Sequence, residues 1–146
     1  MTIRFNTAMR DAMVTALTNA IGSYNTLSIY TGSQPATAND AATGTKLARI
    51  TAAAGARLHF AAAAVDGVIA KAAAETWQAT GLANGAAGYF RVVTDADAGD
   101  TSSTTAIRVD GVIAVSGSDM DMTNTSIALG APLLINTATF TMPVAA

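Results

Sequence analysis

Asn19-Ala-Ile-Gly-Ser-Tyr-Asn-Thr-Leu-Ser-Ile-Tyr-Thr31 sets two sequence textures side by side. Its first residues close a run with helical spacing, and Gly22 supplies the stop. Its last five, Leu27-Ser-Ile-Tyr-Thr31, alternate apolar and polar side chains, as a strand with one buried face does. N-terminal to this junction the chain reads as one helix. C-terminal to it, short Thr/Val/Ile/Ala segments are punctuated by Gly, Asp and Asn.

The spacing predicts a helix over residues 7–21. Ala8, Met9, Ala12, Met13, Ala16, Leu17, Ala20 and Ile21 form an i, i+4 double stripe, and Asn6 or Thr7 can cap its start. Arg10, Asp11, Thr15, Thr18 and Asn19 take the opposite face. A face of Ala and Met allows close approach and tolerates imperfect surfaces. It can cover the chain's own sheet or dock on a partner subunit.

Further strands are expected at Lys46–Thr51, Arg57–Ala62, Val65–Ala72, Glu75–Thr80, Gly88–Thr94, Ala106–Val115, Ser126–Leu129, Pro132–Asn136 and Thr137–Met142. The alanine runs at 52–54, 61–64 and 72–74 favour helix by propensity, but none sustains a 3.6-residue period. The fold class is therefore mainly β: a β-sandwich or jelly-roll-like domain with one N-terminal amphipathic helix, a single domain over 1–146 whose β part occupies 27–146. Residues 32–45 are polar, small and long for a connection, and read as a loop or arm reaching over a neighbour. Val-Asp-Gly-Val-Ile-Ala occurs at 65–70 and 109–114, but the flanks differ. The shared Asp-Gly is expected to make the same turn or bulge twice.

Composition narrows function. Of 146 residues, 12% are charged, about half the usual share. Hydrophobic residues make up 51% and aromatics only 5%, so the apolar content is mostly small. Low surface charge removes desolvation cost and repulsion between copies, which favours an oligomer or assembly subunit. The absence of Cys excludes disulfides, thiol catalysis and thiolate zinc sites. No basic stripe suits nucleic acid, no segment suits a membrane span, and no motif calls for a cofactor.

The reactive inventory is thin. His59 is the only histidine, so a histidine-rich metal site is impossible, and it lacks a neighbouring nucleophile. Asp95-Ala-Asp-Ala-Gly-Asp100 departs from a calcium loop at three positions and reads as a solvated turn. Asp119 and Asp121 share a face if Ser118–Asp121 is a strand, without other catalytic company. Tyr89 and Phe90 point to opposite faces of one strand, so Phe90 or Tyr89 is free for a subunit contact. The residues expected to carry partner or oligomer contacts are Met9, Met13, Leu17, Ile21, Tyr30, Pro35 and Tyr89. No catalytic, cofactor or metal residue is assigned, and no enzymatic activity is expected.

Four stretches resemble small virion proteins of tailed bacteriophages: Arg4-Phe-Asn-Thr-Ala-Met-Arg-Asp-Ala-Met13, Ile29-Tyr-Thr-Gly-Ser-Gln-Pro-Ala36, Gly88-Tyr-Phe-Arg-Val-Val93 and Ser116-Gly-Ser-Asp-Met-Asp-Met-Thr-Asn-Thr-Ser-Ile127. The resemblance implies a capsid cement or decoration protein, made in the host cytoplasm and carried on the capsid surface of the virion. Its partners would be the major capsid protein and itself, as a homotrimer. The alternative is a tail, connector or baseplate subunit.

Overall fold

Helix α1 (Thr7–Ile21) begins where expected, with Asn6 Oδ1 accepting the Met9 N–H at 2.9 Å. It ends at Gly22, whose φ of 69° places it in the left-handed region and whose N–H reaches Thr18 O at 3.0 Å. The docked face differs from the expected stripe. Val14 and Ile21 are buried, Leu17 packs against the core, and Ala8, Met9, Ala12, Ala16 and Ala20 are exposed. Residues 14, 17, 18 and 21 form the inward row. The cause lies in two charged residues expected to face water. Arg10 Nη1 donates to Asp66 O at 3.1 Å, and the Asp11 carboxylate accepts the Gly67 N–H. These contacts rotate the helix onto the 66–67 turn.

The structure is a computed structural model, and it describes residues 4–22, 25–94 and 96–142. The fold is mainly β and sandwich-like, with one N-terminal helix and a curled sheet. The strands are β1 (Asn25–Thr31), β2 (Lys46–Ala52), β3 (Val68–Ala70), β4 (Trp77–Thr80), β5 (Gly85–Thr94), β6 (Arg108–Ala114), β7 (Met120–Asp121), β8 (Ser126–Ile127), β9 (Pro132–Ile135) and β10 (Thr139–Thr141). The large sheet runs β7-β6-β5-β1-β2-β4-β9, with β8 paired to β5; β3 and β10 form a separate ribbon. Pairings are antiparallel except the short β6–β7 contact.

Alternation divides the central strands into two buried faces. Leu27, Ile29, Ile50, Phe90 and Val92 face the apolar core with Ile21, Leu58 and Trp77. Aromatic contacts link Trp77 to Phe60, Phe60 to Phe140, and Phe140 to Phe90. On the other face Tyr30 pairs with Tyr89, Ser28 with Arg91, and Arg91 with Asp110. That face is also buried, beneath the chain's own loops.

Several expected strands shrink. Arg57–Ala62 contributes only the isolated Phe60–Lys71 bridge, and Val65–Ala72 only β3 after a two-residue turn. β7 falls within Ser118–Asp121, which the sequence offers as a strand only conditionally; just Met120 and Asp121 are extended and paired. The alanine runs form no α-helix; Ala53–Gly55 is a short 3-10 turn. The repeated hexapeptide takes two conformations. Asp66 and Gly67 both have positive φ, closing a hairpin between Val65 and Val68. Asp110 and Gly111 lie inside β6 with no turn. There Asp110 is held by Arg91, and a Cβ on Gly111 would meet the Phe90 ring at 2.5 Å. Tertiary partners override the local turn preference.

Candidate assembly surface

The 32–45 segment is held on its own chain. It folds over a layer made by Tyr30, Tyr89 and Arg91. The two tyrosine rings stack with centroids 5.0 Å apart and planes within 9°. Tyr89 Oη donates to Thr43 O at 2.8 Å and accepts the Thr43 N–H at 2.9 Å. Pro35 is buried, and the segment bonds to the following loop through Ala42 N to Asp100 O and Ser103 N to Asn39 O. An arm reaching over a neighbour is thereby corrected to a strap over β1 and β5.

Two buried ion pairs anchor the strap. Arg91 Nε and Nη2 bind both Asp110 oxygens at 2.8 and 2.7 Å, with side chains 0% and 2% exposed. Arg91 Nη1 also donates to Gly99 O at 2.7 Å and Asp40 O at 3.0 Å. Arg108 pairs with Asp97 alongside. Burial opposes the charge on Arg91, but Asp110 outweighs it and raises its pKa. The bond from Arg108 is the main cause holding Asp97 below the usual carboxylate range.

Asp97 and Asp100 are thus committed to donors of the protein itself. Lys46 Nζ and Tyr30 Oη both bind Asp100, each within about 3.0 Å. Burial first, then Asp100, pushes the Tyr30 phenol up. Asp95 lies outside the described residues. Among those described, no three His, Asp or Glu side chains converge as a metal site needs.

His59 is exposed and its ring Nδ1 meets Glu75. Glu75 also accepts from the His59 N–H and the Trp77 indole, each at 2.8 Å. Burial works against the Glu75 charge, but these donors prevail and lower its pKa. The arrangement staples the 58–60 segment to β4. Asp119 Oδ2 accepts the Val112 N–H, and Asp121 accepts N–H groups of Gly117 and Ser118. These carboxylates close the β6–β7 turn.

The expected contact residues separate into two groups. Met9 is 51% exposed on the outer helix face, and Met13 is half-buried. Leu17 belongs to the core packing, while Ile21, Tyr30, Pro35 and Tyr89 are buried within the chain. They are corrected to internal packing residues, because the inward row of the helix includes Leu17 and Ile21 and the strap covers the tyrosines. The exposed apolar residues that sequence reading missed include Leu82, Leu129, Leu134, Val112 and Val115. Leu82 and Leu129 share one rim, where Leu129 N donates to Asn84 Oδ1 and Gly130 N to Gly81 O. Leu134 stands at 59% exposure on β9, an edge strand without a charged residue. Pro132-Leu-Leu-Ile135 is apolar at every position, so no alternation in the sequence marks Leu134 as outward.

Among the described residues no helix is long and apolar enough to cross a membrane. Comparison with protein-family models, curated proteins and solved structures finds no match to this chain.

Proposed function

We propose that the chain is a structural virion subunit, a capsid cement protein that self-associates and binds the outside of a phage head shell. The sequence resemblance supplies the virion assignment. The observation that carries the assembly reading is the outer surface: Met9, Leu82, Leu129 and Leu134 are each more than half exposed on a chain with few charges. Apolar residues displayed on several sides favour contact with neighbours. Binding only the expanded shell would stabilise that shell by mass action.

A tail or connector role is the second reading, favoured by the open edges β9 and β7 at opposite ends of one sheet. Head-to-tail pairing of unlike edges generates rings. Light scattering after size exclusion tests the assembly reading and separates these two. A discrete trimer is expected for cement, and a ring of six or more moves the assignment to the tail or connector. A monomer at every concentration contradicts self-association.

A further inference from the structure

Between the β6–β7 turn and β10 runs a groove whose floor is Leu27, Phe90, Met120 and Phe140. Its cavity of about 240 Å³ continues past Asp119 toward Leu17 and Val109. Asp119 and Asp121 stand on the rim, and no Lys, Arg or His lines either part. Bonds from Ser118 hold the Asp121 carboxyl below its ordinary pKa. Asp119 commits Oδ2 to the Val112 N–H, and no hydrogen bond to its Oδ1 is seen among the described residues. The groove therefore offers the half-buried Phe140 ring beside negative charge.

The complementary chemistry lies at the start of α1. Arg4 is exposed and makes no hydrogen bond or ion pair with any described residue. Phe5 beside it is 40% exposed. Leu17 borders the groove, ten residues along α1 from Thr7, so about 15 Å of helix separates that border from the first turn. Arg4 and Phe5 lie beyond that turn, away from their own groove.

We propose that Arg4 and Phe5 of one copy dock in the groove of a second copy. The guanidinium binds Asp119, and the Phe5 ring packs on the half-buried Phe140. This rests on the assembly reading and names its interface. The contact joins unlike surfaces, so repetition gives a closed ring or an open filament according to its rotation.

The cysteine-free chain makes the test direct. An Arg4→Cys/Asp119→Cys variant is oxidised gently and run on a non-reducing gel beside each single variant. The proposal expects covalent dimers and higher species in the double variant, well above either single one. Only background cross-linking, or an intrachain disulfide, overturns it. A charge swap keeps the idea testable if cysteine at 119 harms the fold. Arg4→Asp, outside every regular element, should dissociate the oligomer, and Arg4→Asp/Asp119→Arg should restore it. An oligomer indifferent to Arg4→Asp overturns this interface but leaves the assembly reading standing, with the groove open to another partner.

Discussion

Arg91→Met is expected to destabilise the protein by about 3–5 kcal/mol, because it leaves the Asp110 carboxylate buried without its cation. The same change removes the donor shared by Gly99 O and Asp40 O, so the strap and the 96–100 loop lose a common anchor. Against a typical stability of about 5–15 kcal/mol, such a loss brings the chain toward its threshold. Urea unfolding at neutral pH measures it. The double variant Arg91→Met/Asp110→Leu should lose less than Arg91→Met alone, since removing both charges removes the uncompensated one. Equal stability of Arg91→Met and the parent protein would contradict the anchoring role.

Trp77→Ala attacks the opposite face and is expected to cost about 3–5 kcal/mol. Trp77 is fully buried, meets Phe60 edge-on at 5.4 Å, and donates its indole N–H to Glu75. Truncation opens a cavity beneath β4 and takes one donor from the carboxylate that staples the 58–60 segment. Trp77 is the only tryptophan, so circular dichroism must replace fluorescence as the probe. Trp77→Phe should recover part of the packing without the hydrogen bond. A Trp77→Ala loss below about 1 kcal/mol would mean that the aromatic row does not anchor this core.

The central strands were legible because alternation and β-branched residues coincide. Leu27–Thr31 and Gly88–Thr94 became β1 and β5, the middle of the sheet. The burial of their second face was not legible. A guanidinium can be buried when a carboxylate and two backbone carbonyls receive it, and carbonyls are common to every residue. Nothing in Gly32–Thr45 distinguishes a polar strap over Arg91 from a polar loop in water. The helix was legible in extent but not in orientation. Alanine contributes little burial energy, so a row of alanines did not compete with Val14, Leu17 and Ile21 joined to the Arg10 and Asp11 anchors. Gly111 shows the same limit: its use depends on the Phe90 ring from another strand.

These corrections alter how the functional surface is tested. A charge at Leu17 or Ile21 would disturb the core. Met9 and Leu134 can carry a charge without entering it, since both are more than half exposed. The cement assignment therefore becomes a question of surface occupancy measured with folded variants.

The most direct measurement is co-sedimentation of the purified protein with expanded and unexpanded shells of the major capsid protein from the genome that encodes it. Saturable binding to expanded shells is expected, with a higher shell melting temperature when occupied and weaker binding by Met9→Asp. No binding to expanded shells at saturating protein concentration would contradict the cement assignment.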